Sequence, residues 1–413
     1  MSGKRVVQLG YGMQGKASLV DLMSAPGIQE IIVADNLPGI SETIQKLGDP
    51  RVKGIRVDAS KNEELAAAMK GADVVVELLP GLFALPVARL AAELGVNLVS
   101  AMYLANPGEQ NPSRREAERR ELEKIDSVMK AKGKTILEEF GMDPGIDLVL
   151  GRQALNALDE VHAFHSYGAG FPELSSANNP IHYKFTWSVL GVMRSYLRPA
   201  VVIKDGKDVA VAADEMFSPA NMHILDVPEM GGPLECFLNG DSSHFAEAFG
   251  IRKTIKYMGR YICRWPGHAS FWGTMAKSGF LSDEPILVGD ARIAPSAFCA
   301  ALLGSQEQFF YSAGERDLAL IRADARGLKN GRPTRVIYQI VDKRDLATGL
   351  TSMQRTVGFP ASIGAQMIMD GRIAKKGIVS PSDVDFDGFM AELGKRGITM
   401  SRKESVWDGN LEA

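Results

Sequence analysis

The first third of the chain alternates short apolar runs with stretches whose apolar positions recur every three to four residues. That alternation predicts buried strands followed by helices. Strands are expected at 5–9, 31–34, 54–57, 73–79, 97–100 and 135–140, with helices at 16–23, 60–71, 85–94 and 113–133. Ser60 with Glu63, and Ser113 with Glu116, have the spacing of a capping box, in which a hydroxyl and a carboxylate satisfy the free amides of a helix start. Glu116 and Arg120 fall on one helix face, so the charged run 114–124 predicts a solvated surface rather than a nucleic-acid patch. Beyond Asp147 the pattern changes. A helix at 148–158 is followed by strand-like segments at 160–167, 200–212, 233–239, 253–264, 317–326 and 333–342, the last two flanking the hairpin signal Lys329-Asn330-Gly331. Helices are expected at 184–197, 267–280 and 294–304, and then from 360 to Gly371. Residues 383–413 predict a further amphipathic helix and a polar tail. The fold class that follows is α/β: a Rossmann-type doubly wound parallel sheet, with a second, α+β domain on a mostly antiparallel sheet.

The first strand runs into Gly10-Tyr11-Gly12-Met13-Gln14-Gly15. A strand leading into G-x-G-x-x-G at a helix start is a phosphate-binding turn: Gly10 for the tight turn, Gly12 for close approach of a pyrophosphate, Gly15 for helix packing. Met13 lies within this turn, ahead of a helix whose free amides face the anion. Asp35 ends the second strand twenty residues past Gly15, where a carboxylate can accept hydrogen bonds from ribose hydroxyls and would repel a 2′-phosphate. NAD is therefore the expected cofactor, with NADP the second candidate; an ordinary strand-ending turn is the alternative role for Asp35. Asp58, Leu79, Pro80, Ser100 and Met102 follow the next strands, where open α/β sheets bind ligands.

Composition narrows the class. The chain has 413 residues, 45% hydrophobic and 23% charged, with a net charge of −3, which gives no electrostatic case for nucleic acid. No apolar run is long enough to span a bilayer, and no signal peptide is evident. Cys236, Cys263 and Cys299 are far apart and odd in number, which suits a reducing cytoplasm better than a disulfide framework. No metal site is expected, and His162 and His165 are read as structural.

From Phe140 to Asp147 the chain reads Phe-Gly-Met-Asp-Pro-Gly-Ile-Asp. This resembles the G-L-D-P-G-I-D run of the saccharopine dehydrogenase family, nearest to its glutamate-forming saccharopine reductases and lysine 6-dehydrogenases. Ser166–Pro172 resembles the family's S-Y-x-G-G-L-P, and Asn179–Ser188 resembles N-P-x-x-Y-K-F-x-W-S. Ser100–Tyr103, Glu315–Asp317, Thr356–Pro360 and Gly371–Ile373 match further segments. The resemblance implies that the substrate domain is an insertion and that the C-terminal segment returns to the nucleotide-binding domain. The domains expected are 1–143, 144–351 and 352–413. It also implies hydride transfer between a nicotinamide cofactor and the nitrogen-bearing ε-carbon of a lysine-type amine, giving 2-aminoadipate semialdehyde with either glutamate or ammonia. A small amino-acid substrate and a homodimer are the expected partners.

The amine must be neutral to release hydride, and protons must then be shuttled to water. Tyr103 and Asp143, at strand ends, are the candidates for orienting substrate and relaying the proton. Asp143 has an alternative role, bonding the backbone of its own Pro-Gly turn. Glu139, Lys184, Trp187 and Asn239 are weaker substrate candidates, and Lys184 could instead be solvated. Gly240 stands where the reductases carry an arginine able to clamp a carboxylate, and Gly168 where they carry a cysteine. Gly240 and Asp35 lean toward lysine 6-dehydrogenase, whereas the S-x-M-Y and Y-K-F-x-W-S motifs lean back toward saccharopine. Gly168 and Gly240 leave open a non-catalytic sensor of NAD(P)H.

Overall fold

The computed structural model describes residues 3–106, 109, 111–407 and 409–412. In chain order the elements are β1 (Lys4–Leu9), α1 (Met13–Ser24), β2 (Ile28–Asp35), α2 (Ile40–Gln45), β3 (Val52–Arg56), α3 (Asn62–Met69), β4 (Val74–Glu77), α4 (Ala84–Leu94), β5 (Asn97–Ser100), α5 (Pro112–Ala131) and β6 (Thr135–Leu137). There follow α6 (Ile146–Asn156), β7 (Glu160–Pro172), α7 (Val189–Ser195), β8 (Ala200–Lys204), β9 (Lys207–Val211), β10 (Met222–Val227), β11 (Gly232–Leu238), α8 (Ser243–Ala248), β12 (Tyr257–Arg264) and α9 (His268–Lys277). The chain continues with β13 (Ile286–Val288), β14 (Ala291–Ile293), α10 (Pro295–Gly304), β15 (Asp317–Lys329), β16 (Arg332–Lys343), α11 (Ser352–Met369), β17 (Gly377–Val379), α12 (Phe386–Lys395) and β18 (Met400–Val406). These fall into two compact units, Met1–Val149 with Gln354–Gly397, and Leu150–Met353 with Ile398–Ala413.

The first unit is a parallel sheet in the order β17-β6-β5-β4-β1-β2-β3. The order β3-β2-β1-β4-β5-β6 is that of a dinucleotide-binding sheet. Both faces are covered by helices, so the strands read as continuous apolar runs: Val74, Val75 and Val76 have no exposed surface. β17 extends the sheet beyond β6 with residues 242 positions after Thr135 in register (Gly377↔Thr135). Asp21 of α1 fastens this returning segment. Its carboxylate accepts from Ser362 Oγ (2.6 Å), Gln366 Nε2 (2.9 Å) and the Arg396 guanidinium (2.5 and 2.9 Å).

The second unit is built on a mixed sheet in the order β10-β11-β12-β7-β15-β16-β18, with β8 and β9 branching from β12. β7 and β12 run parallel and the remaining pairs antiparallel. Its apolar face carries Tyr167, Phe171 and Leu320 against Tyr183, Trp272 and Met193. The same face carries a buried charge cluster: Asp324 lies 2.5 Å from Arg335, 3.3 Å from Arg326 and 3.8 Å from Arg322. Against the opposing effect of burial, Arg335 and Arg326 hold the Asp324 carboxyl down at about 2. His165 is buried beside it and its Nε2 lies 2.9 Å from the Leu411 carbonyl, which can only accept; burial pushes this imidazole down to about 4.

Several local expectations change. α1 starts at Met13, not at 16. Neither serine caps its helix: α3 begins after Lys61, and Ser60 donates instead to Asp58 (2.6 Å), while α5 is capped by Asn111, whose side chain accepts from Ser113 and Arg114. The helix expected at 184–197 is only Val189–Ser195, because Ser188 caps it by accepting from Gly191 N–H. β18, in the segment expected to be polar tail, pairs with β16 in the second unit's sheet.

At Gly358, α11 packs close against α1. A Cβ there would lie 2.5 Å from Gln14 O and 2.7 Å from Ser18 N on α1. Gly358→Val should destabilise the protein by about 1–3 kcal/mol through overpacking against backbone that cannot yield. Urea unfolding measures this; an unchanged midpoint would contradict the helix packing described.

Candidate functional site: the carboxyl edge of the parallel sheet

Every strand of a parallel sheet ends on the same edge, and here β1 to β6 are each followed by a loop that carries residues singled out in the sequence. Gly10 follows β1, Asp35 ends β2, Asp58 follows β3, Leu79 and Pro80 follow β4, and Ser100 and Met102 end β5 and begin its loop. Glu139, Asp143 and Tyr103 lie on the loops after β6 and β5.

The glycine turn is compact because it has to be. Gly10 has φ +99°, and a Cβ on Gly15 would lie 2.3 Å from the Gly10 carbonyl. Nothing lies within 4 Å of the Cβ position at Gly12, so an anion can approach the backbone there, above the first amides of α1. Buried Gln8 staples the turn, its Nε2 donating to the carbonyls of Gly10 and Gly15 (2.9 Å each). Asp35 accepts from Tyr11 N–H (2.6 Å) and Leu37 N–H (2.8 Å), which fixes its carboxylate beside the turn. These features fit a dinucleotide: Gly10, Gly12, Met13 and Gly15 around the pyrophosphate, Asp35 at the ribose. Asp58 is half-buried and holds its own turn through Ser60.

The loops after β4, β5 and β6 are bound together by a buried carboxyl that the sequence analysis did not single out. Glu77 has no exposed surface. It accepts from Leu79 N–H (2.8 Å) and Ser100 Oγ (2.6 Å), and Ser100 Oγ in turn accepts from Met102 N–H (3.0 Å). The carbonyls of Ser100 and Met102 accept from Phe140 N–H (2.8 Å) and Glu139 N–H (3.2 Å). Burial pushes the Glu77 carboxyl up to about 7, with its two donors opposing. Glu138, half-buried at the end of β6, is pushed to about 8 by desolvation and by the neighbouring Glu139, against the Leu104 amide. The available signal was acidic residues inside apolar runs, one in Val-Val-Val-Glu-Leu-Leu and two in Thr-Ile-Leu-Glu-Glu-Phe.

Tyr103 thus sits between Met102, bonded to Glu139, and Leu104, bonded to Glu138. Asp143 follows four residues after Glu139, next to a cis peptide bond with Pro144. The backbone of its Pro-Gly turn is served by another acid: Gly145 N–H donates to buried Asp147 (2.9 Å).

The remaining substrate candidates lie in the second unit, on separate elements. Lys184 is neither solvated nor free: it is buried, and its Nζ pairs with Glu315 at 2.5 Å. The alternative of a solvated lysine is corrected accordingly. Trp187 lies over Gly191 at the start of α7. Asn239 N–H donates to Arg260 O after β11, and Gly240 follows with φ +63°, its carbonyl accepting from Val201 N–H. Among the described residues no group of three or more His, Cys, Asp or Glu is placed to hold a metal, and no helix is long and apolar enough to cross a membrane.

A glycine turn, a carboxylate fixed beside it and ordered loops on one sheet edge define a dinucleotide-binding fold. The comparisons give the family. Residues 6–137 match the saccharopine dehydrogenase NADP binding domain and residues 141–398 the saccharopine dehydrogenase C-terminal domain, so the chain belongs to the saccharopine dehydrogenase family. It is 26% identical over 431 residues to the alpha-aminoadipic semialdehyde synthase of Arabidopsis thaliana (87% of this chain, 39% of that protein). The bovine mitochondrial synthase is also 26% identical (98% and 48%), so the chain spans less than half the length of these two relatives. The saccharopine dehydrogenase [NADP(+), L-glutamate-forming] of Saccharomyces cerevisiae is 25% identical over 97% of this chain and 99% of its own. The apo yeast enzyme superposes with a TM-score of 0.81 at 24% identity, covering 98% of this chain and 100% of its own, which establishes the shared fold. The matched domain and the yeast relative are named for NADP, so NAD as the main cofactor has no support from the comparisons.

Glu77 gives a pH prediction. A carboxyl raised from its ordinary 4.5 to about 7 binds its proton more tightly in the folded chain. Between those values the folded state holds more protons, so stability falls as pH rises, by at most about 1.4 kcal/mol per unit. Glu77→Gln should flatten that slope in urea unfolding between about pH 5 and 7; an unaltered slope would mean the carboxyl does not titrate there.

Proposed function

We propose that the protein is a dehydrogenase that oxidises the C–N carbon of a lysine-type secondary amine, with saccharopine the leading substrate. The observation that carries this reading is the hydrogen-bonded joining of the Tyr103 and Asp143 loops on the sheet edge that bears the glycine turn, in a chain of this family. Saccharopine and water would give 2-aminoadipate semialdehyde, glutamate and one released proton, with the two electrons leaving as hydride. The nicotinamide cofactor supplies the hydride acceptor. Asp143 takes the proton that keeps the amine neutral and later serves the water that opens the imine. Tyr103 orients the amine. The joining of the β5 and β6 loops through Ser100 and Met102 supports this, because it holds both side chains on one braced platform.

A second reading is favoured by Gly240 and Lys184. With Gly240 in place of an arginine and Lys184 consumed by Glu315, two expected partners for the carboxylates of saccharopine are missing. Lysine, with one carboxylate, needs fewer. Lysine 6-dehydrogenase activity, releasing ammonia, is therefore the alternative. We also infer that Asp35 biases the chain toward NAD, because its fixed carboxylate would face the 2′-phosphate of NADP.

Steady-state formation of reduced nicotinamide with saccharopine and with lysine tests these readings. Asp143→Asn and Tyr103→Phe should each lower kcat about a hundredfold or more while leaving cofactor affinity nearly unchanged. No turnover of either amine, together with tight cofactor binding, would replace the catalytic reading with that of a sensor. Asp35→Ser should raise the NADP-to-NAD ratio of kcat/KM at least about tenfold, equivalent to ~1.4 kcal/mol; a wild type that already prefers NADP would refute the NAD assignment.

A further inference from the structure

Two of the three cysteines meet in the second unit. β11 and β12 run antiparallel with Cys236 directly opposite Cys263. Both are free thiols with no exposed surface, and the Cys236 thiol donates to Cys263 Sγ at 2.7 Å. Cys299, on α10, stands apart from this pair.

Facing residues of an antiparallel pair alternate between those that exchange backbone hydrogen bonds and those that do not, and in the second kind the side chains lie closer. Asn239 N–H donates to Arg260 O (2.8 Å), which makes that position one of the first kind. The register runs unbroken from there through Leu238↔Tyr261 and Phe237↔Ile262 to Cys236↔Cys263. Counting back, the cysteines occupy a position of the second kind. Its Cα atoms stand about 4.5 Å apart, inside the roughly 4.4–6.8 Å that a disulfide spans. The bond fits the sheet without a change of register.

The folded sheet also keeps the thiols from reacting. Exchange starts from a thiolate. Burial pushes the Cys236 thiol well above its ordinary value, with Cys263 adding to the effect and Arg322 opposing it. His223 faces Cys236 from β10, but burial pushes its imidazole down to about 4, so it is a poor base for the thiol. β10 and β11 form one end of the sheet order, and both sulfurs meet a reagent only when that end is open.

We propose that Cys236 and Cys263 are a covalent modification site, an intrachain disulfide whose presence or absence is set while the chain folds and then locked by burial. The oxidant is a small-molecule disulfide such as oxidised glutathione. One cysteine thiolate attacks it and expels a glutathione thiolate; the second cysteine then displaces the other glutathione from the mixed disulfide. The protein gives up two electrons and two protons and gains one S–S bond. The oxidant loses its S–S bond and leaves as two thiols. The new bond closes a loop that carries Asn239, Gly240 and α8, so the oxidised form restrains that segment in the unfolded chain as well. This site is independent of the catalytic reading.

Refolding of the full chain from urea tests the proposal. With oxidised glutathione present, the chain should regain its native circular dichroism with one free thiol instead of three, a mass about 2 Da lower, and a peptide linking Cys236 to Cys263. Its urea midpoint should exceed that of the reduced chain. Cys299→Ala refolded in the same way should have no free thiol. Chain folded first in reduced glutathione and then given the same oxidant should lose thiols at least about tenfold more slowly than chain that is refolding. Three free thiols after oxidative refolding, a bond that includes Cys299, an oxidised chain that does not regain native structure, or folded chain that oxidises as fast as refolding chain overturns the proposal.

Discussion

The architecture of the candidate site depends on one buried carboxyl. Glu77 ends a strand of three valines, in a place where an uncompensated charge would be costly, and it is tolerated because Leu79 N–H and Ser100 Oγ both reach it. From there a chain of hydrogen bonds runs through Ser100 and Met102 to the backbone of Glu139 and Phe140. On its other side the β4 loop passes against Gly10: a Cβ there would lie 2.7 Å from Leu78 O. The glycine turn and the Asp143 loop are thus ends of one connected edge. The backbone at both ends is held by hydrogen bonds within the edge itself.

This edge also shows why a loop-built site can be exact in geometry. Strands of a parallel sheet hold their own positions through continuous packing, but the residues beyond their ends have unsatisfied amides and carbonyls. In this chain those groups are paired between loops, as Phe140 N–H with Ser100 O, or within one, as Gly141 N–H with Pro144 O, rather than left to solvent. Tyr103 inherits its place from neighbours on both sides.

The parts of the fold legible in the sequence were those written in periodic burial. β1, β2, β4 and β5 are apolar runs because helices cover both faces, and the hairpin of β15 and β16 was marked by Asn330-Gly331. β18 was not legible, because Met-Ser-Arg-Lys-Glu-Ser-Val is a largely exposed edge strand whose side chains carry no apolar alternation. β17 has three residues, too few for any period. Helix caps failed for a different reason: Ser60 and Ser113 had the right spacing, but Asp58 and Asn111 offered competing acceptors nearby. The glycine turn and Asp35 could be read because their chemistry follows from spacing. The fate of Lys184 could not, since its partner Glu315 is 131 residues away.

The returning segments have a consequence for the birth of the molecule. The parallel sheet acquires β17 only after the entire mixed sheet through β16 has been synthesised, and Thr135 Oγ waits for a carbonyl at Lys375. The mixed sheet in turn acquires its edge strand β18 only after α12 has emerged. Each unit begun early is finished late, so a nascent chain leaving the ribosome carries two open sheet edges, at β6 and at β16, that its own later sequence must close. No single contiguous cut releases either unit whole, and a chain stopped before residue 377 would expose the β6 edge to whatever strand it meets first.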